Sequence, residues 1–119
     1  MIYNEHEAWH VSNRVFWRTL SLAVTVGREM ASTPEENAWV EALSSFDEEK
    51  AGTYSPDVED TELFPSSAQA VFWSNVLFDV ARQLHERTLG QLSNADEKVE
   101  AIWAAYDLGL ILMRAASRA

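Results

Sequence analysis

Apolar residues recur at Ala8, Val11, Val15, Leu22, Val26 and Met30, close to the period of an α-helix. Asn4 followed by Glu7 has capping-box spacing, with Tyr3 placed to staple against Ala8, so a first helix is predicted over about 5–30. Its polar positions, Glu7, His10, Arg14, Arg18, Ser21 and Thr25, form one narrow edge, and Phe16, Trp17, Leu20 and Val24 fill much of the rest. Thr33-Pro34-Glu35-Glu36 is the sharpest start signal: Thr caps, Pro takes the first helical position, and Glu36 closes the box. The second helix therefore starts at Pro34 and runs to about 47, with Ala38, Trp39, Ala42 and Leu43 on one face. From Gly52 to Ser67 periodicity fails and Pro56 and Pro65 intervene, which predicts a long loop over about 51–66.

A third helix is expected over about 67–89, capped by Ser66 or Ser67, buried through Trp73, Leu77, Val80, Ala81 and Leu84, and closed by Gly90. Ser93 with Asp96 opens a fourth, about 94–116, whose polar residues Glu100, Asp107 and Arg114 fall seven apart. Asp107 is expected to face solvent along that stripe. The pattern as a whole describes one all-α domain, an antiparallel four-helix bundle with an acidic loop between helices two and three. Val15-Phe16-Trp17 returns as Val71-Phe72-Trp73, a shift of 56 residues. Two helical hairpins of similar design would produce that echo, and so would coincidence among aromatic-rich faces.

Composition narrows the chemistry. The 119 residues carry 19 acids against 9 bases, a formal charge of −10, which disfavours a nucleic-acid backbone as partner. There are no cysteines, so disulfides and thiolate metal sites are excluded. The longest apolar run, Ala101 to Met113, is thirteen residues broken by Asp107, whereas a membrane span needs about 20. The first ten residues hold two acids and no Lys or Arg, unlike a secretory leader, and a cytoplasmic protein is expected.

The charge is unevenly placed. Ten acids and one base, Lys50, lie between Glu35 and Glu62, leaving that segment at −9 and the remainder at −1. Like charge at such density opposes compaction, so a compensating use is expected, namely gripping a basic protein partner through Asp47, Glu48, Glu49, Asp57, Glu59, Asp60 and Glu62. The plainer alternative is a solubilising face. A calcium loop is not indicated, because neither the turn Gly nor the terminal Glu stands at the required offset.

His6-Glu7-Ala8-Trp9-His10 reads as H-E-x-x-H, which on a helix would set His6 and His10 one turn apart as metal ligands. Glu29, the next acid along the predicted helix, would be roughly 28 Å from His10, too far to complete a zinc site. His6 and His10 thus remain weak metal candidates, and no cofactor is expected. The five tryptophans read as core, and no Ser–His–Asp set or phosphate-cradling glycine loop is present, so catalysis is not expected.

These readings describe a non-catalytic acidic protein-binding module. By analogy of size, helicity and charge alone, it is an inhibitor or immunity/antitoxin-like protein neutralising a basic partner such as a nuclease toxin. The alternatives are a nucleic-acid mimic of the kind used by phage inhibitors of defence systems, and a metal-binding helical bundle. The apolar surplus on helices one and four further predicts a homodimer through either, with Gly109 allowing close approach, unless Tyr54, Val58, Leu63 and Phe64 fold back over it.

Overall fold

The computed structural model describes residues 1–50, 54–86 and 95–118. The chain is mostly helical. Its elements are β1 (Ile2–Tyr3), β2 (Ala8–Trp9), α1 (Asn13–Met30), α2 (Pro34–Lys50), β3 (Val58–Glu59), α3 (Asp60–Leu63), α4 (Ser67–His85) and α5 (Ala95–Arg118). Among the described residues no helix is long and apolar enough to cross a membrane.

The first helix starts at Asn13 rather than near Glu5, and the residues before it form a hairpin. The Asn4 carboxamide oxygen does accept from nearby backbone N–H groups, those of His6 (2.8 Å) and Glu7 (3.0 Å). It closes a turn instead of a helix, with Asn4 N donating to the Glu7 carbonyl at 2.9 Å. Trp9 decides the outcome. It is buried, and its indole N–H donates to the Ala104 carbonyl in α5 at 2.9 Å. Ser12 then caps α1, its hydroxyl accepting from Val15 N.

The expected loop over 51–66 contains regular structure: β3 pairs parallel with β1, and α3 follows directly. Ile2 faces Trp9 on one side and Val58 on the other, and all three are buried, while their neighbours Tyr3, Ala8 and Glu59 are not. The sheet is thus an apolar lid of period two. Its register repeats the 56-residue shift of the Val-Phe-Trp echo, pairing Ile2 with Val58 and Tyr3 with Glu59, and Asn4 bonds Asp60 at the same interval. The ring pairs also match: Phe16–Trp17 and Phe72–Trp73 lie 4.9 and 5.1 Å apart, both edge-to-face.

Helix α2 begins at Pro34 as expected, Glu36 N donating to the Thr33 hydroxyl at 3.1 Å, and it continues to Lys50, past the expected 47. Helix α4 is capped by Ser66 and reaches His85. The expected stop at Gly90 and start at Ser93 lie outside the described residues. Helices α4 and α5 run antiparallel, tied by Ser74 Oγ to the Gly109 carbonyl (2.9 Å), Phe78 against Tyr106 (5.6 Å) and Lys98 Nζ to the His85 carbonyl (3.3 Å). Gly109 is buried in that contact: a Cβ there would stand 2.8 Å from the Phe78 ring. It therefore serves α4 and does not open onto a second copy.

The core centres on Trp73, Phe16, Leu20, Leu77, Leu108 and Leu112. Charged clasps close its edges. Arg14 and Arg18 on α1 both reach Glu97 and Glu100 on α5 at 3.0–3.3 Å. Glu7 receives Arg114 and Arg118, which fastens the hairpin to the far end of α5. The Arg114 guanidinium, with Arg118 beside it, holds the Glu7 carboxyl below its ordinary 4.5.

Two expected outcomes follow from this packing. A Cβ at Gly27 would meet the Trp73 ring at 3.0 Å and Val40 at 3.2 Å, and both neighbours are fully buried. Gly27→Ala should therefore destabilise by about 1 kcal/mol or more, despite the helix-propensity gain of up to about 1 kcal/mol, as read by urea unfolding. Glu7→Gln should lower stability at pH 7 by about 1 kcal/mol or less. Because the folded-state pKa is depressed, that stabilisation is fully present above the ordinary 4.5 and is lost as pH falls through the lower folded value. Unfolding curves of the two proteins should thus converge in acid.

Candidate functional site

The charged surface follows from how the arginines are used. All six described arginines are ion-paired within the chain. Arg14 and Arg18 hold Glu97 and Glu100, Arg28 reaches Glu41 at 3.7 Å, Arg82 bridges Asp79 and Glu86, and Arg114 and Arg118 hold Glu7. Of the acids outside these pairs most face solvent, Asp47 and Asp60 being the more buried ones.

The seven acids expected to grip a partner fall into two groups along the chain. Asp47, Glu48 and Glu49 lie in the last turns of α2; Asp57, Glu59, Asp60 and Glu62 lie before, on and after β3. Glu48, Glu49, Glu59 and Glu62 are exposed, and their carboxylates make no hydrogen bond or ion pair among the described residues. Asp57 is exposed and sits 3.6 Å from the Met1 amino group. Asp47 is half-buried and accepts from the Ser21 hydroxyl at 2.9 and 3.2 Å. Partial burial raises its pKa above the ordinary 3.8, the Ser21 bond opposes this, and Glu48 adds to it.

Asp60 is different in kind. It is 7 % exposed, and its Oδ2 accepts from the Asn4 carboxamide at 3.1 Å. It joins α3 to the hairpin turn and lies beneath the surface that its neighbours form. Sequence reading could not separate it from Glu59 and Glu62, because all three share one acidic run and only the pairing of β3 with β1 turns Asp60 inward.

Glu59 of β3 and Asp60 of α3 meet the hairpin turn at a shallow groove of about 380 Å³, lined by Asn4, Glu5, His6, Glu59, Asp60, Thr61, Ala115 and Arg118. Carboxylates from two distant segments therefore share one concavity with a single arginine, already engaged by Glu7. Such a wall suits a guanidinium or ammonium group, which can be met by charge-assisted hydrogen bonds. His6 belongs to this groove, whereas His10 does not line it.

The H-E-x-x-H spacing loses its helical meaning here, since Ala8–Trp9 is a strand and both histidines are exposed. Among the described residues no group of three or more His, Asp and Glu side chains is placed to hold a metal. Glu7, the acid within the motif, is held by Arg114 and Arg118.

A second surface is apolar. Trp103 is 58 % exposed, contrary to the expected core position; Trp9, Trp17 and Trp73 are buried and Trp39 is half-buried. Val99, Tyr106 and Met113 share the open side of α5 with Trp103, and Val71 is exposed on α4. Helix α1, by contrast, exposes only Met30 among its large apolar side chains, so its predicted surplus is buried against the hairpin, α2, α4 and α5. Val58 and Phe64 are buried, Leu63 is half-buried against the core and Tyr54 is 92 % exposed, so the segment after α2 contributes to the core and borders the end of α5 without covering its exposed Trp103 side. Asp107 faces solvent as expected.

No protein-family model, no curated protein and no solved structure matches this chain, so its surfaces stand as the guide to what it does.

Proposed function

We propose that this chain is a non-catalytic acidic protein-binding module, an antiparallel four-helix bundle that inhibits or neutralises a basic partner. The observation that carries the reading is the separation of charge: the described arginines are consumed in internal clasps, while Glu48, Glu49, Glu59 and Glu62 stand exposed and unpaired among the described residues. A surface of that kind raises the encounter rate with a cationic protein and orients it on approach. The groove beside β3 supplies a place where one basic side chain of the partner is met by Glu5 and Glu59 together. A cationic nuclease, whose own surface is built to meet phosphate, has the charge this surface needs.

The test is capture by the full chain from a lysate of its source organism at low salt, with a variant carrying Glu48→Gln, Glu49→Gln, Glu59→Gln and Glu62→Gln in parallel. A basic protein should be retained by the wild type and released by salt, and its association with the variant should be slowed roughly tenfold or more at low salt. Helical content and melting should match the wild type, because these side chains are exposed. Equal association rates for the variant and the wild type would end the proposal.

A further inference from the structure

The outer face of the α4–α5 pair goes beyond this reading, because it is apolar and does not depend on who the basic partner is. Val99, Trp103, Tyr106, Leu110 and Met113 follow one another at steps of four and three along α5, the spacing of a helix-packing seam. From the antiparallel register, Phe78 packs on Tyr106, and Val71 stands at the level of Met113. Tyr106 also meets Trp103 edge-on at 6.0 Å, so Phe78, Tyr106 and Trp103 form an aromatic row at the middle of the seam. Among the described residues, four of the seven large apolar side chains that are exposed, Val99, Trp103, Tyr106 and Met113, lie on this side of α5, and Val71 on α4 stands at its edge.

We propose that this face is the seat of a second copy of the chain, in a twofold dimer with the two α5 helices antiparallel and crossing near Tyr106. Three features select that occupant. The first is area. Val71, Val99, Trp103, Tyr106 and Met113 are each between 41 and 58 % exposed. They therefore present on the order of 500 Å² of largely apolar surface, on the scale of aromatic and aliphatic side chains. A standard interface buries about 800 Å² per partner, and homodimer interfaces are about 65 % apolar, so this is close to the apolar share one protomer must supply.

The second feature is the direction of α5. The charges at its ends are largely engaged internally, Glu97 and Glu100 by Arg14 and Arg18, and Arg114 and Arg118 by Glu7. What distinguishes the orientations is the helix dipole: antiparallel contact sets opposite ends of the two α5 dipoles side by side, whereas parallel contact would set like ends together. The third is symmetry: the seam is centred on Tyr106, so a twofold axis there lets the same residues serve both sides. The acid-rich segments are attached elsewhere, the end of α2 to Ser21 of α1 and β3 to β1, so dimerisation on this face leaves the acidic groove open.

Light scattering and sedimentation of the full chain at micromolar concentration should give twice 13.4 kDa. Trp103→Glu should return the mass to that of one chain with unchanged far-ultraviolet circular dichroism. Because the chain has no cysteine, Tyr106→Cys provides an independent reading. Mild oxidation should join it into a covalent dimer, while Glu35→Cys, on exposed α2, stays mostly unlinked. A wild type that remains at 13.4 kDa to about 100 μM, a dimer that survives Trp103→Glu, or equal linkage of the two cysteine variants would overturn the proposal. So would burial of Trp103 by a basic partner's helix on a monomeric chain.

Discussion

The fold depends on how closely α4 can lie on α5. At Gly109 there is no side chain, Ser74 reaches the backbone carbonyl, and the Phe78 ring occupies the space a Cβ would need. That approach buries Leu77, Leu108 and Leu112 on one side of the contact and leaves Phe78, Tyr106 and Trp103 in a row of tilted and edge-on rings along the other. Helix α5 then becomes the support for what comes first in the chain. Trp9 hangs from its Ala104 carbonyl, Glu7 is held by Arg114 and Arg118, and α1 is clasped to it through Glu97 and Glu100. The hairpin in turn positions β3, because Ile2 lies between Trp9 and Val58.

This arrangement also explains where the charge goes. An arginine reaching across a helix pair uses its methylenes to cover apolar surface and its guanidinium to bridge two carboxylates. Arg14 and Arg18 do this together, so four charges cancel at one seam. With a net charge of −10, the excess must then reside on the remaining surface. It collects at the end of α2 and around β3, where the sequence itself is richest in acids and no arginine is near in the chain. The molecule thus has two surfaces of opposite character: an acidic one able to act over distance, and an apolar one that acts only on contact.

Much of this was legible locally. Thr33-Pro34-Glu35-Glu36 sets the start of α2, since the cap hydroxyl and the missing proline N–H are facts of those residues alone. Ser66 caps α4 for the same reason. The acidic segment from Glu35 to Glu62 was visible as composition, but its division into exposed Glu59 and Glu62 and buried Asp60 was not. The two-residue strands were equally hidden, because a strand of that length has too few positions to show a period.

Sequence alone determined that the chain is helical, roughly where most of its helices lie, and that its charge is concentrated in one segment. These follow from periodicity, caps and composition, which act over a few residues. The tertiary structure decided what each local signal was used for. The Asn4 carboxamide can cap a helix or close a turn with the same acceptor atom, and burial of Trp9 against a carbonyl 95 residues away selects the turn. Helical spacing likewise shows that Val99, Trp103, Tyr106 and Met113 share a face, but it cannot say whether that face has a neighbour. Only the packing of α4 and α1 on the other sides of α5 leaves it open, because periodicity fixes direction around a helix axis and says nothing about what stands there.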